Sequence, residues 1–483
     1  MDYILYGLAG IVIVILTLLL IAVIRTIFIK ASPLPKPNIG IERKVQIEYA
    51  EKLAKLIRIK SIASRTHQQV GPFEEIHEVL KNLFPNVHKT MSITYFEGGS
   101  LLCKWSGLDP TLEPLVVMAH QDVVPAPIEG WKHDPYAGII EGDELFGRGT
   151  FDTKGTLFAF FQAAEELIIS GFVPKTDIYL ASSSDEEVSG VGAKMTVDYL
   201  KAKNVKPKLV LDEGGAIVDG SLPSSKVPIA LIGVIEKGYV NLNLIAKSSG
   251  GHSSTPPKNS PIARLSAFIT QIEKHFPLKT KMIKEVRDLF ETAAPSMSYP
   301  FRLLFGNLWL FKPLLTWLLP KISPYGRAML STTIAYTMMK GSDAENVIPN
   351  EATMLLNCRT HPIQNIESTV KVLRKIAKRY NLTIEILEGR DATPIVNTKG
   401  DAYQLVIESI KAVFPDVLIS PYVILGGTDA RHYTEISDAA LRFSPVRVAN
   451  ADLKKMHGIN ESIRIDALAE AVVFYKHLMR QFR

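Results

Sequence analysis

At 483 residues and 47% hydrophobic content, the chain can bury a large core and should hold more than one domain. Its net charge of +6 is spread along the sequence, with no basic run beyond the one that follows the N-terminal apolar segment, which excludes nucleic-acid binding. Only two cysteines are present, Cys103 and Cys358, in separate elements and away from any ligand motif, so neither a disulfide framework nor a thiolate metal site is expected.

Residues 3–24 carry no charge and as a helix would span ~33 Å, matching a ~30 Å hydrocarbon core, which predicts a single transmembrane anchor. A cleavable signal peptide is the competing reading. Against it stand the length of the run, Asp2 where Lys or Arg is expected, and the lack of a small-x-small cleavage site before Arg25. Arg25, Lys30, Lys36, Arg43 and Lys44 follow the helix and favour a cytoplasmic catalytic domain, with a lumenal one as the alternative. Residues 25–41 read as a linker, extended over 31–40 by Pro33, Pro35 and Pro37.

A helix over residues 42–57 opens the globular part. Strands and helices alternate over 42–235 and again over 393–483, as in the helix 405–414 followed by a strand at 417–419, which predicts an α/β mixed-sheet catalytic domain in two segments. The insertion, 236–392, reads as a small α+β lid or dimerisation domain of four strands (240–246, 332–338, 352–358, 382–387) and two helices (261–275, 366–379) on one face. Inside it lies a stretch dense in Leu, Phe and Trp, residues 301–320. That stretch is either a buried helical hairpin or a surface that dips into a bilayer or accepts acyl chains, and Lys312-Pro313 argues against a second membrane span.

Five strand ends or loops carry candidate chemistry. In residues 115–125 an apolar strand ends in His120, with Asp122 two positions on. Alternation puts both on one face, so Asp122 can hold one imidazole nitrogen while the other binds a metal. A lone strand-end histidine is ordinarily structural, and the downstream motifs are what change its weight. Residues 146–155 form a Gly-punctuated turn carrying Asp152, a plausible bridging ligand. In residues 178–190 a strand runs into Asp185-Glu186-Glu187, three carboxylates that either splay into water or are held by a cation. The strand 207–211 ends in Asp212-Glu213-Gly214-Gly215, and the fifth element is His457-Gly458-Ile459-Asn460-Glu461. Together they would line the carboxyl edge of a parallel sheet, where open α/β sheets bind ligands.

Through His120-x-Asp122, Gly147-Arg148-Gly149 with Asp152-x-Lys154-Gly155, Glu186-Glu187, Asp212, Gly251-His252-Ser253-Ser254 and His457-Gly458-x-Asn460-Glu461, the chain resembles a known family. It is that of the dizinc metallopeptidases and amidohydrolases, which includes carboxypeptidase S, carboxypeptidase G, aminoacylase, acetylornithine deacetylase and succinyl-diaminopimelate desuccinylase. The resemblance covers about residues 45–480, in the same motif order. It is nearest to carboxypeptidase S and the N-fatty-acyl-amino-acid hydrolases, which pair these motifs with an N-terminal apolar segment and an Asp-Glu-Gly turn.

The resemblance implies two zinc ions, one held by His120 and Asp212 and one by Glu187 and His457, with Asp152 bridging. Two such cations ~3.5–4 Å apart need a shared carboxylate. Asp212 and Glu213 are both candidates for the fourth ligand, and Asp212 is chosen for its place at the strand end. Glu186 is implied as general base and Asp122 as the residue that orients His120. Asn346, Arg359 and His252 are implied as substrate contacts, Arg359 for a carboxylate and His252 for the oxyanion, often from a partner's lid. The turn with Gly427 and Thr428 would line the pocket. The expected protein is a membrane-anchored zinc hydrolase cleaving an amide bond next to a free carboxylate, in a peptide or an N-acyl amino acid, with a homodimer formed through the lid. The alternatives are an N-fatty-acyl-amino-acid amidohydrolase/synthase and, in another class, a non-catalytic metal-binding membrane protein. The intact Glu186 argues against the last.

Overall fold

The computed structural model describes residues 2–35, 40–66, 69–220, 224–225 and 227–483, so Lys36 and Pro37 of the expected tether lie outside the described residues. Helix α1 (Asp2–Phe28) runs four residues past the expected end, with Arg25 in its last turn, where a cation suits the helix dipole. Among the described helices α1 alone is long and apolar enough to cross a membrane unbroken. Nearly all of it is exposed, whereas Ala22 and Thr26 are fully buried. Helix α2 (Arg43–Ile57) then turns a stripe of Tyr49, Ala50, Leu53, Ala54 and Ile57 into the core, the spacing of one helix face.

The large sheet is assembled from both predicted segments. In chain order come β1 (Ser92–Tyr95), β2 (Leu101–Trp105), β3 (Leu115–Met118), α3 (Lys154–Ile169), β4 (Ile178–Ser182), α4 (Gly192–Ala202), β5 (Leu209–Asp212), β6 (Ile217–Asp219) and β7 (Ile229–Glu236). After the insertion of β8 (Gly238–Lys247), α5 (Pro261–Lys274), α6 (Lys284–Ala293), α7 (Tyr299–Phe305), α8 (Leu308–Ile322), β9 (Thr333–Lys340), β10 (Glu351–Thr360), α9 (Ile366–Ala377) and β11 (Thr383–Arg390), the chain returns. It then supplies α10 (Asp401–Val413), β12 (Leu418–Ile424), β13 (Ala440–Arg442), β14 (Arg447–Ala449) and α11 (Ile465–Arg480). The strand order is β1-β2-β4-β3-β5-β13-β7-β6-β14, with β12 beside β7.

Strands β4, β3, β5 and β13 run parallel to one another, and every residue of β3, β4 and β5 is buried. Leu115 and Val117 enter the large core with α3 and α11, while Val116 and Met118 enter a smaller one with Val197 and Leu200 of α4. Both faces are covered, which is why these strands read as unbroken apolar runs. Being parallel, they release their carboxyl ends at one edge, and His120, Glu186, Glu187 and Glu213 come just after those ends, while Asp152 and His457 are brought there by separate loops.

The second sheet, ordered β9-β10-β8-β11, is antiparallel throughout, and β10 alternates buried and part-buried residues along most of its length. Leu242, Leu244, Met354 and Leu356 pack with Leu265 and Phe268 of α5 and Leu373 of α9 in a core of their own. These four strands and two helices overlap the expected segments with ends shifted by up to three residues. The stretch around residues 301–320 departs from the first of its two expected readings, the buried helical hairpin. It is no part of that small domain's core, because Met282, Val286, Phe290, Phe305, Leu308 and Leu315 join the large core instead. Nor is it a hairpin, since α7 and α8 meet at 98°.

Candidate active site

His120 follows β3 and is almost completely buried. Its Nδ1 lies 2.9 Å from the carbonyl oxygen of Asp122 and 3.4 Å from that residue's carboxylate, so the backbone is the nearer partner orienting the ring. The Asp122 carboxylate also accepts the backbone N–H of Glu186 at 3.2 Å and of Glu187 at 3.0 Å, tying the loop after β4 to the loop after β3.

Two triads result. His120 Nε2 lies 3.0 Å from Asp152 Oδ1 and 3.2 Å from Glu213 Oε1. His457 Nε2 lies 3.0 Å from Asp152 Oδ2 and 3.1 Å from Glu187 Oε2. Asp152 is common to both, one oxygen to each, and the ligand atoms within each triad lie within 4.8 Å of one another. Of the two carboxylates expected to compete for the fourth place, the triad of His120 contains Glu213 and not the preferred Asp212. Asp212 accepts the Ala430 N–H at 2.7 Å and belongs to neither triad, while Glu213 occupies the place. Consecutive residues leaving a strand point to opposite sides, so only one of the pair can face the cluster.

Glu461, quoted in the sequence only as part of a motif, shapes the Asp152 loop. Its Oε1 accepts the N–H groups of Gly149, Phe151 and Asp152 at 3.0, 2.9 and 3.1 Å, and its Oε2 pairs with Arg148 Nη1 at 2.6 Å. Arg148 in turn donates to the Gly458 carbonyl at 2.9 Å, so the loops bearing Asp152 and His457 are clamped together. One signal was available in the sequence: a carboxylate four residues after His457 that the ligand count does not use.

The electrostatics are those of buried charge lacking compensation. Burial pushes the Glu213 carboxyl up to about 8, with Asp152 and Asp212 adding to the rise. Burial alone would lower the His120 imidazole, yet Glu213, Asp122 and Asp152 hold it well above its ordinary value. Hydrogen bonds to Asp152 and Glu187 raise His457 to about 10. Glu186 is pushed well up by burial and by the neighbouring Asp429, Glu213 and Asp122, with His120 opposing; its Oε1 lies 3.6 Å from Arg431 Nη1.

A second cluster lies where the two sheets join. Arg359 and Arg390 both lie against the Tyr239 ring, at 5.7 and 5.3 Å from its centroid. Glu236 Oε1 accepts from Thr428 Oγ1 at 2.7 Å and from Arg442 Nε at 2.8 Å, and Glu236 Oε2 lies 3.5 Å from Arg390 Nη2. Gly427 fits against Arg390, whose Nη2 would stand 2.6 Å from an added Cβ. Burial, with Arg431 and Arg359 nearby, lowers Arg390 to about 10. Arg390 was not singled out in the sequence, where nothing sets it apart from other arginines, and Arg431 was present only as part of the turn that carries Gly427 and Thr428. His252 and Asn346 lie elsewhere, exposed on a short two-stranded pair in which the Asn346 carbonyl accepts the Ser253 N–H at 2.9 Å and His252 Nδ1 lies 2.8 Å from Ser254 Oγ. Among the described residues neither is joined to the triads by a hydrogen bond or ion pair.

The donor set fits cations. Two imidazoles and four carboxylates from Asp152, Glu186, Glu187 and Glu213 crowd one hollow, both nitrogens of His120 face acceptors, and Glu187 Oε1 is buried without a hydrogen-bond partner. Buried carboxylates at such density need protons or a metal to be stable. An α/β sheet that presents two His–carboxylate triads about one shared aspartate, with a further glutamate alongside, defines a metal-dependent hydrolase. Residues 116–481 match Peptidase family M20/M25/M40, and the chain belongs to that family. Its peptidases are metal-dependent, typically on zinc. The chain is 33% identical to a probable carboxypeptidase S-like protein of Dictyostelium discoideum over 90% of this chain and 85% of that one. It is 32% identical to the Homo sapiens N-fatty-acyl-amino acid synthase/hydrolase over 93% and 90%. An M20 family metallo-carboxypeptidase from Sulfolobus solfataricus shares the fold, with a TM-score of 0.64 at 20% identity over 90% of this chain and 99% of that one.

Proposed function

We propose that the protein is a membrane-anchored, zinc-dependent hydrolase of amide bonds adjacent to a free carboxylate. The observation that carries this reading is the sharing of Asp152 between two triads beside a carboxylate, Glu186, that belongs to neither. His120 and Glu213 would hold one zinc ion and Glu187 and His457 a second, with Asp152 common to both. Zinc there supplies Lewis acidity toward the scissile carbonyl and makes the attacking water more acidic. Glu186 accepts the proton of that water and returns it to the departing amine, a shuttle suited to a carboxylate whose affinity for protons is raised by burial and by Asp429. Asp122 holds the Glu186–Glu187 backbone in register with His120. Arg359 and Arg390 receive the substrate carboxylate, Gly427 and Thr428 close that subsite, and the exposed His252 and Asn346 serve the neighbouring active site of a homodimer formed through the small sheet's domain.

In this reading helix α1 is the anchor, and the basic residues after it favour a cytoplasmic catalytic domain, with a lumenal one as the alternative. A second reading within the same chemistry is cleavage or synthesis of N-fatty-acyl amino acids, supported by the likeness to the human enzyme of that name and by the apolar surface of α8. Glu186→Gln is the test of mechanism: zinc content should stay as in the parent while kcat falls about 10²–10⁴-fold. Unchanged turnover would remove Glu186 from the reaction. Comparing a blocked Gly-Leu dipeptide with an N-oleoyl amino acid separates the two substrate classes.

A further inference from the structure

Helices α7 and α8 form an elbow, and α1 is seated in it. Asn307, fully buried at the corner, donates through Nδ2 to the Ala22 carbonyl at 3.3 Å, to Thr26 Oγ1 at 2.9 Å and to the Leu303 carbonyl at 2.9 Å; its Oδ1 accepts the Trp309 indole N–H at 3.1 Å. Arg302 Nη1 donates to the Ile29 carbonyl at 3.2 Å, and Gly306 approaches so closely that an added Cβ would meet Ile29 Cδ1 at 2.6 Å. A fully satisfied buried amide of this kind fixes a single arrangement of two helices.

The position of that contact along α1 matters. Ala22 and Thr26 lie in its last two turns, roughly 3–9 Å from its end at 1.5 Å per residue. Helices that lie in a membrane interface sit at a similar depth, with their apolar face roughly 5–10 Å into the boundary between headgroups and acyl chains. The elbow exposes what such a location requires: Trp309 and Leu314 are each 46% exposed, Trp317 59%, and Ile322 and Tyr325 more than that. Beside this face opens a groove of about 780 Å³ with Lys274, Lys281, Lys312, Lys321 and Arg327 on its walls and Glu273 as the one acidic lining residue among those described. The Lys321 ammonium sits 3.7 Å from the Trp317 ring centroid, so charge and aromatic surface are presented together.

We infer that the α7–α8 elbow is a membrane-docking surface: its Trp and Leu side chains enter the leaflet in which α1 ends, and the lysine-lined groove takes the headgroups of anionic phospholipids. The inference rests on the reading of α1 as an anchor. It goes beyond that reading in holding the catalytic domain against the bilayer, where tethering alone would leave the domain to swing.

The full chain is reconstituted into vesicles of phosphatidylcholine, with and without phosphatidylserine, whose acyl chains carry bromine as a quencher of Trp emission. Two of the four tryptophans belong to the elbow, so roughly half of the emission should be quenched, more strongly with phosphatidylserine present. The double variant W309F/W317F should lose the quenchable component while still hydrolysing a soluble substrate. The triple variant Lys281→Ser, Lys312→Ser, Lys321→Ser should lose the response to phosphatidylserine. A chain that stays with the vesicles through alkaline carbonate yet shows no quenching overturns the docking surface and leaves the anchor standing. Release by carbonate overturns both. Equal quenching in the two lipid mixtures overturns the headgroup groove.

Discussion

The metal cluster and the α7–α8 elbow break the usual partition of side chains in opposite directions. At the carboxyl edge of the large sheet, His120, Asp152 and Glu213 are withdrawn from water without enough opposite charge. On the flank of the same core, Trp309, Trp317 and Ile322 are left in contact with it. Each arrangement is costly for the chain alone, and each makes sense with a partner of defined chemistry, a cation in one case and a hydrocarbon phase in the other. The lesson is that a side chain in the wrong solvent marks what it is meant to meet.

The sharpest way to break the comparison is Asp152→Asn, which keeps the shape of the shared ligand and removes its charge. Zinc per chain, measured by mass spectrometry of the purified protein, should fall and hydrolysis should drop below detection; parental zinc content would mean that the triads do not share this carboxylate. A second test uses another buried histidine as the contrast. His361 is wholly buried, and burial, with Lys237 nearby, lowers it to about 4, opposite to His120. The unfolded chain takes up a proton on this residue as pH falls below its ordinary ~6.5, while the folded chain resists until about 4. Stability present above pH ~6.5 is therefore lost on the way down to pH ~4, by about 3 kcal/mol. His361→Gln should flatten that part of the unfolding curve against pH, and an unchanged slope would show that this imidazole is not the group responsible.

Smaller effects sharpen the two regions separately. Glu461→Gln leaves the ligands in place but weakens the hold on the Asp152 loop, so zinc affinity measured against a competing chelator should fall about 10–100-fold. Asn307→Ala strips the hydrogen bonds that seat α1 in the elbow and should cost about 1–2 kcal/mol. Thermal unfolding, together with faster proteolysis between α1 and α2, would register the loss, and a parental protease pattern would show that the seat does not depend on this amide.

Much of this protein is local enough to be read from its residues. Alternating strands and helices announced an α/β sheet built from two segments, four short strands announced the small sheet, and an uncharged N-terminal run announced α1. That His120 and Glu187 share an edge follows from the parallel strands that precede them, whereas Asp152 and His457 arrive on loops outside that set and were implied by the family resemblance. What the chain order leaves open is direction and long-range company. Whether Asp212 or Glu213 faces the cluster depends on how the chain leaves β5 and on an N–H from Ala430, 218 residues away. The grip of Glu461 on the Asp152 loop spans 309 residues, and Arg390 meets Glu236 only because two sheets join there. The apolar stretch around residues 301–320 lies within the segment that builds the small domain, yet it packs on the large core and seats α1 at Asn307. Periodicity records which face of an element is apolar; which partner that face meets is settled only when distant elements compete to cover it, and that competition is decided in three dimensions.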